Sequence, residues 1–224
     1  MKKSRFEIPY ALLRGIAWTI LKAGFAFEVR GINHLAACRQ GLILAGNHTG
    51  LLDSLTIYAA CQRYFRFMMT EEVFTWGLIG KLVPYGNIIS LYQGRERKAL
   101  METIQLLRQG SMVCIFPEGK LTQDGHLNRF NEGVAFLQQK SGAPILPFAI
   151  HGGFEAWAHT SRLPHFRKVI LEFGPPIEAG QYNTRTEIVQ ALEIRVRQMK
   201  TALDESQGMK PVINLNQNAY QADV

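Results

Sequence analysis

The chain has 224 residues, 47% of them hydrophobic, which is enough apolar surface for one large domain and excludes a chain that is disordered along most of its length. A net charge of +7 favours association with polyanions such as nucleic acid, acidic lipid or phosphorylated ligands. No arginine-rich arm or aromatic-basic ribonucleoprotein motif is present, which argues against nucleic acid as a partner.

The N-terminal segment is an apolar run with a few cations. Arg14 and Lys22 interrupt it, so no stretch of about 18 uncharged residues could span a bilayer. No Ala-x-Ala cleavage site follows, and a secretory signal is therefore not expected. Apolar residues recur at helical spacing, at Leu13, Ile16, Ala17, Ile20, Ala23 and Phe27. We predict that residues 1–26 form an amphipathic helix lying on an anionic membrane surface, or alternatively a helix packed on its own domain.

From residue 27 to residue 206, short apolar runs alternate with longer helical patterns. Strands are predicted at 27–31, 42–45, 65–69, 88–91, 112–116, 145–150 and 169–173. Helices are predicted at 51–61, 72–82, 96–108, 132–140 and 186–203. This alternation predicts a single α/β domain with a mixed, largely parallel central sheet flanked by helices. The Gln- and Asn-rich residues 207–224 lack periodicity and are predicted to form a mobile tail.

A polar segment, residues 47–53, follows the second predicted strand and reads Asn-His-Thr-Gly-Leu-Leu-Asp. Ligands in α/β sheets gather at the carboxyl ends of strands. A turn entering a helix brings His48 and Asp53 within hydrogen-bond reach, so that Asp53 fixes the imidazole tautomer and Nε2 can take a proton from a substrate hydroxyl. The alternative is that Asp53 caps a helix and His48 is a polar turn residue.

A second segment, Phe-Pro-Glu-Gly-Lys at residues 116–120, follows the fifth predicted strand. The proline ends the strand, and Gly119 permits a positive φ or close approach by a ligand. Backbone N–H groups near Gly119, together with Lys120, are predicted to receive a phosphate or a thioester oxyanion. Glu118 is expected either to anchor the loop or to contact substrate. The alternative is an ordinary strand-ending turn.

Together the two segments resemble the glycerolipid acyltransferases of the 1-acylglycerol-3-phosphate acyltransferase type, whose hallmark is His-x-x-x-x-Asp followed by Phe-Pro-Glu-Gly. The resemblance covers about residues 27–180 and includes the apolar segment 144–148. It implies transfer of a fatty acyl group from acyl carrier protein or acyl-CoA to the free hydroxyl of a lysophospholipid, in phospholipid synthesis or remodelling. It also implies that His48 and Asp53 are catalytic, with no metal and no cofactor besides the thioester co-substrate.

The resemblance further implies a peripheral or monotopic position on the cytoplasmic face of the cell membrane. Three widely spaced cysteines, Cys38, Cys61 and Cys114, fit reduced thiols in a cytosolic compartment and show no zinc-ligand spacing. Cys114 lies inside an apolar strand and is not expected to be a nucleophile. His151 is expected to make a structural hydrogen bond.

Three departures from the family pattern concern the acceptor head group. Gln93 stands where the second family block has a phosphate-binding Arg, so Arg95 or Arg97 is a candidate replacement or else a solvated charge. Lys120 replaces the usual Thr or Ser, and no Lys follows Phe130. The acceptor is thus expected to be lysophosphatidic acid or a lysophospholipid such as lysophosphatidylethanolamine. The predicted substrate-binding residues are Asn47, Gly94, Arg95, Arg97, Pro117, Glu118, Gly119 and Lys120.

Two other functions use the same features. A thioester or lipid hydrolase would use the His48–Asp53 pair to activate water. A non-catalytic membrane-binding module would keep the fold without the chemistry, although neither motif is damaged in this sequence.

Overall fold

The structure is a computed structural model that describes residues 7–70, 88–91, 94 and 96–209. The predicted helix at 72–82, Gln93, Arg95 and most of the predicted tail lie outside the described residues.

The elements follow one another in the order α1 Glu7–Phe25, β1 Glu28–Arg30, α2 Ile32–Ala37, β2 Leu42–Gly46, α3 Asp53–Ala60, β3 Phe65–Thr70, β4 Ile88–Leu91, α4 Glu96–Arg108, β5 Met112–Ile115, α5 Gly133–Ser141, β6 Ile145–His151, α6 Gly153–Trp157, β7 Ile170–Phe173 and α7 Arg185–Ser206. All seven predicted strands are present. Helices α2 and α6 were not predicted, because six and five residues are too few to display a helical period.

The seven strands form one sheet in the order β1-β7-β6-β2-β5-β3-β4. Neighbouring strands run parallel, except that β6 and β7 are antiparallel. The predicted mixed, largely parallel sheet is therefore confirmed. Strands β2, β5 and β6 lie at its centre and are fully buried along their length, as expected when helices cover both faces.

Alternate residues of each central strand face two separate cores. On one side of β2, Leu42 and Leu44 pack with α1, α2, α3 and α6. On the other side, Ile43 and Ala45 pack with α4, α5 and α7. The protein is a three-layer α/β/α domain, and the carboxyl ends of β2 and β5 meet at one edge of the sheet.

Helix α1 has both a buried face and an exposed apolar face. Tyr10, Ala17, Leu21 and Phe25 belong to the first core, and the Tyr10 hydroxyl donates to the carbonyl of Cys61 at the end of α3 (3.1 Å). The opposite side exposes large apolar side chains at Leu12, Leu13, Ile16 and Ile20. The predicted helix thus packs on its own domain while leaving a second apolar stripe open. Among the residues that the structure describes, no helix combines the length and hydrophobicity needed to span a bilayer.

His151, at the end of β6, joins the sheet to α7. Its Nδ1 lies 2.7 Å from Oδ1 of Asp204, and Lys200 donates to the other carboxylate oxygen at 2.7 Å. His151 is also buried, and its contact with Asp204 is the structural hydrogen bond that was predicted for it.

Candidate active site

The loop between β2 and α3 carries the first motif and is tied to the neighbouring strand by Asn47. The Asn47 side chain donates to the carbonyl of Ile150 (2.9 Å) and accepts from the Ile150 N–H (2.7 Å). The buried amide thus makes one hydrogen bond through its nitrogen and one through its oxygen, both to the backbone of Ile150. Asn47 therefore holds the loop in place; it is not among the described residues that line the cavity below, and its contact with substrate stays a prediction.

His48 and Asp53 form a hydrogen-bonded pair. Nδ1 of His48 lies 3.0 Å from Oδ2 of Asp53, which is the first residue of α3. The same Oδ2 accepts the backbone N–H groups of Thr49 (2.5 Å) and Gly50 (2.8 Å). Three donors thus fix one carboxylate oxygen, and the carboxylate in turn fixes the imidazole tautomer and leaves Nε2 for the reaction. Asp53 is fully buried, whereas the His48 side chain is 17% exposed.

Gly153, the first residue of α6, forms the wall behind Asp53. A Cβ built at Gly153 would lie less than 3.0 Å from both Oδ1 of Asp53 and Oγ1 of Thr49. These two oxygens are buried and have no hydrogen-bond partner in the part of the chain that the structure describes. The backbone of Gly153 also approaches Gly50 closely, because a Cβ built at Gly50 would overlap the carbonyl oxygen of Gly153. Gly153 was not predicted, although the Gly152-Gly153 pair directly after a strand is a sequence signal for such close approach.

We expect Gly153→Ala to lower kcat by about 10–100-fold, because the new methyl group displaces the Asp53 carboxylate and misaligns His48 by a fraction of an ångström. Overpacking also lowers the free energy of unfolding by about 1–3 kcal/mol. Steady-state rates and thermal unfolding measure the two effects. Gly15→Ala is the matched control, since a Cβ at Gly15 meets no atom within 4 Å. Wild-type kcat for Gly153→Ala would show that Gly153 does not position Asp53.

The second motif packs directly on the first. The ring of Phe116 stacks on the His48 imidazole with centroids 3.9 Å apart and planes inclined by 12°. The Glu118 carboxylate accepts the backbone N–H of His48 (2.7 Å) through one oxygen and the N–H and side-chain amide of Asn128 (2.8 and 2.9 Å) through the other. Burial raises the pKa of Glu118, while these donors oppose the rise. Glu118 therefore anchors the loop, which is the first of its two predicted roles, and it is not among the described residues that line the cavity.

Gly119 occupies the tight turn after β5. Its φ is +73°, and a Cβ would press on the side-chain amide of Asn131, which donates to the carbonyl of Pro117 (3.0 Å). The Gly119 N–H donates to the carbonyl of Phe116 (3.0 Å), so the predicted oxyanion donors near Gly119 do not include this one. Gly119 instead allows the chain to turn so that Pro117, Gly119 and Lys120 line the cavity.

A largely apolar cavity of about 730 Å³ opens beside His48. Side chains from α3, β3, β4, α4, β5 and α5 surround it, including Leu55, Tyr58, Phe67, Ile88, Leu100, Ile115, Val134 and Leu137. Its volume lies within the range of small-molecule sites. The ionisable side chains among its described lining residues are His48, Glu96, Lys120 and the phenol of Tyr58.

Gly94 and Arg97, which were predicted to bind substrate, are not among the described residues that line this cavity. Gly94 is an exposed turn residue whose N–H donates to Glu96 (3.0 Å). Arg97 is exposed on the first turn of α4, and neither residue lines the cavity. Arg95 lies outside the described residues, so its role stays a prediction. Lys120 is the predicted cation that the structure places at the cavity.

The thiols of Cys61 and Cys114 are not nucleophiles or metal ligands in the described part of the chain, because both stay protonated near neutral pH. Cys61 and Cys114 are fully buried. Burial raises the pKa of the Cys61 thiol to about 12 and raises that of Cys114 well above its ordinary value. Neither forms a thiolate near neutral pH.

The amino-acid sequence is similar to those of known acyltransferases. Residues 26–151 match the sequence family described as Acyltransferase. The chain is 26% identical over 128 residues to the chloroplastic 1-acyl-sn-glycerol-3-phosphate acyltransferase BAT2 of Brassica napus, covering 56% of this chain and 37% of that protein. It is 25% identical over 175 residues to the 1-acyl-sn-glycerol-3-phosphate acyltransferase of Bacillus subtilis, covering 74% of this chain and 84% of that protein.

The chain spans little more than a third of the length of the Brassica protein that it matches. Among solved structures, the crystal structure of the 1-acyl-sn-glycerophosphate acyltransferase PlsC from Thermotoga maritima is similar, with a TM-score of 0.74 and 23% sequence identity. The likeness covers 92% of this chain and 81% of that chain, and shows that the two share a fold.

Proposed function

This chain belongs to the acyltransferase family, and we propose that it transfers a fatty acyl group from a thioester donor to the free hydroxyl of a lysophospholipid. The observation that carries the proposal is the His48–Asp53 pair at the wall of a large apolar cavity. The names of the Brassica and Bacillus relatives, 1-acyl-sn-glycerol-3-phosphate acyltransferases, support an acylglycerol phosphate as the acceptor.

The proposed reaction is a direct transfer without an acyl-enzyme. Nε2 of His48 takes the proton of the acceptor hydroxyl while that oxygen attacks the thioester carbonyl carbon. As the carbon–sulfur bond breaks, His48 returns the proton to the departing thiolate. Asp53 stabilises the imidazolium that forms between the two steps. Lys120 and Leu121 line the cavity, and their backbone N–H groups donate to no described group, so we assign these two donors to the carbonyl oxygen of the thioester.

The cavity is the proposed site of the acyl chain. Its walls are leucine, isoleucine, methionine and aromatic side chains, which receive a hydrocarbon chain without leaving polar groups unpaired. The donor thioester, from acyl carrier protein or coenzyme A, would lie at the His48 end.

Lys120 is the proposed contact for the acceptor phosphate. It is exposed at the rim of the cavity, directly after the Gly119 turn. Among the described residues it makes no ion pair, so its charge is available to a ligand.

We expect Lys120→Ala to raise the KM for a phosphorylated acceptor by about tenfold, with a smaller change in the KM of the donor, because a charge-assisted hydrogen bond in the ground state is lost. Initial rates at varied acceptor and donor measure both constants. Arg97→Ala is the matched control and should leave both unchanged, because Arg97 is exposed and is not among the residues that line the cavity. A solvated Lys120 would give no change in acceptor KM. The same measurement on Arg95→Ala tests the other candidate cation.

The protein is proposed to lie peripherally on the cytoplasmic face of the cell membrane. The exposed apolar stripe of α1 supports contact with an anionic membrane surface. The exposed fractions of Leu12, Leu13, Ile16 and Ile20 lie between 46% and 64%. No acidic residue lies between Glu7 and Glu28, and Lys22 lies over the ring of Trp18 (5.1 Å). An exposed apolar stripe flanked by cations is typical of helices that lie in a lipid interface.

We expect the triple variant L13S/I16S/I20S to bind anionic vesicles at least about tenfold more weakly than the wild type. Its three serine side chains no longer enter the apolar part of the lipid. Vesicle sedimentation measures the affinity, which should fall with added salt. Substitution is preferable to truncation, because removing α1 would also strip Tyr10, Ala17 and Leu21 from the core. An unchanged thermal unfolding midpoint shows that the fold is intact. Vesicle affinity equal to that of the wild type would contradict the proposal.

The proposed activity is tested with purified protein, a panel of lysophospholipid acceptors, and acyl-carrier-protein and acyl-CoA donors. Formation of the diacyl product together with thiol release supports acyl transfer. Thiol release with free fatty acid and no diacyl product would indicate a hydrolase. Equal activity on monoacylglycerol and on every phosphorylated acceptor would contradict the lysophospholipid assignment.

A further inference from the structure

The segment that leads from α6 to β7, residues 158–168, carries the two most exposed of the large apolar side chains that the structure describes. Leu163 is 73% exposed and Phe166 is 81% exposed. Exposed apolar side chains of this size on one short loop mark a surface that binds something apolar.

The backbone of this loop is held in place, so its exposed side chains are presented by a fixed scaffold. The His165 N–H donates to the carbonyl of Ala156 (2.7 Å), and the indole N–H of Trp157 donates to the carbonyl of Ser161 (3.2 Å). At the far end, the Val169 N–H donates to the carbonyl of Phe25 (3.0 Å).

Phe166 continues the exposed stripe of α1. Its ring lies 6.0 Å from the ring of Phe25, and a Cβ at Gly24 would be 3.4 Å from it. Ile16, Ile20 and Gly24 are spaced four residues apart and therefore lie on one side of the helix. The loop thus extends that side beyond the carboxyl end of α1 with a further aromatic ring.

The charge of the loop matches an anionic surface. No acidic residue occurs between Glu155 and Glu172, whereas Arg162, Arg167 and Lys168 lie beside the two apolar side chains. Lys168 forms an ion pair with Glu28 (3.0 Å). Arg162 and Arg167 form none with any residue that the structure describes, so both charges are available to a ligand.

We propose that the 158–168 loop is a second lipid-contacting element, which inserts Leu163 and Phe166 into a membrane and sets Arg162 and Arg167 against anionic head groups. The combination favours lipid over an acidic protein such as a carrier protein, because the two apolar tips project from the loop and join an apolar stripe that already faces outward. The inference rests on the proposed membrane position of the enzyme, and adds a second contact with lipid on the same side as the exposed stripe of α1.

The test uses the full chain and sedimentation with vesicles of phosphatidylcholine, with and without phosphatidylglycerol, in the absence of donor and acceptor. We expect L163S/F166S to bind the mixed vesicles at least about tenfold more weakly than the wild type. M101S/I194S is the matched control, because Met101 and Ile194 are also exposed apolar residues but lie on α4 and α7, on the other face of the sheet. This variant should bind like the wild type.

The charges are tested separately. R162Q/R167Q should lose about fivefold in affinity per charge for vesicles with phosphatidylglycerol and bind pure phosphatidylcholine unchanged. Unaltered unfolding midpoints exclude loss of fold in both double variants, whose four side chains are exposed. Wild-type vesicle affinity of L163S/F166S overturns the proposal. The same holds if that variant instead shows a raised KM for acyl carrier protein, since the surface would then bind a protein.

Acyl transfer to an acceptor dispersed in detergent separates this proposal from the proposed function. L163S/F166S should match the wild type in that assay, because the variant leaves the cavity and His48 untouched. A wild-type protein that binds vesicles through the loop but transfers no acyl group in detergent would defeat the proposed function and leave the lipid-contacting loop standing.

Discussion

His48→Ala is expected to reduce acyl transfer by about 10³–10⁴-fold, since the variant has no group at this position to take the proton of the acceptor hydroxyl. The imidazole is the general base of the proposed reaction, held by Asp53 on one side and by the Phe116 ring on the other. Losing the stacked ring costs about 1 kcal/mol of folding free energy, which leaves the fold intact.

Rates of diacyl product formation and thermal unfolding measured on the same preparation separate the two effects. His34→Ala, a substitution of a partly exposed histidine on α2, is the control and should retain the wild-type rate. A correctly folded His48→Ala protein with more than about a tenth of the wild-type rate is incompatible with a general base at this position.

Asp53→Asn is expected to lower the rate by about 10²–10³-fold, less than the loss of His48 itself, because the asparagine oxygen still accepts from the imidazole while the charge that stabilises the imidazolium is gone. The structure indicates which way the amide turns. Oδ2 faces three N–H donors, so the carbonyl oxygen takes that place, and the NH₂ group occupies the side of Oδ1 and the unpaired Thr49 hydroxyl.

Asp53→Ala provides the comparison that isolates charge from geometry. It removes the acceptor for the Thr49 and Gly50 N–H groups and should lower the free energy of unfolding by about 1–3 kcal/mol, whereas Asp53→Asn should unfold close to the wild type. Calorimetry and initial rates on both variants give the two quantities. If Asp53→Asn keeps more than about a third of the wild-type rate, the carboxylate charge has no catalytic role.

The fold could be predicted from the sequence because its strands are short, apolar and well separated. The run 42–45 is an example, since four apolar residues followed by a polar loop indicate a buried strand, which β2 is. The contact between His48 and Asp53 was also predictable, because a short loop that enters a helix keeps both residues close. The short helices α2 and α6 were not predicted, because six and five residues are too few to show the helical spacing of apolar side chains.

The support of the site could not be predicted, because it comes from residues far apart in the chain. Asn47 bonds to Ile150, and Glu118 bonds to the backbone of His48, at sequence separations of 103 and 70 residues. The sequence therefore could not distinguish a substrate contact from a loop anchor at Asn47 or Glu118, and the structure shows that both side chains hold loops. Gly153 was missed for the same reason, since only the packing of α6 against Asp53 gives it a role.

The reversal of direction between β6 and β7 has a consequence for how substrate arrives. Because the two strands are antiparallel, β7 begins at the edge where β6 ends, which is also the edge where β2 delivers His48. The 158–168 loop therefore stays on the catalytic side of the domain, whereas a parallel seventh strand would have begun at the opposite edge. An enzyme that docks through this loop turns its catalytic edge toward the bilayer. Under the proposed function and docking, the acceptor would reach the site by two-dimensional diffusion, and the rate would follow the mole fraction of lysophospholipid in the surface instead of its bulk concentration.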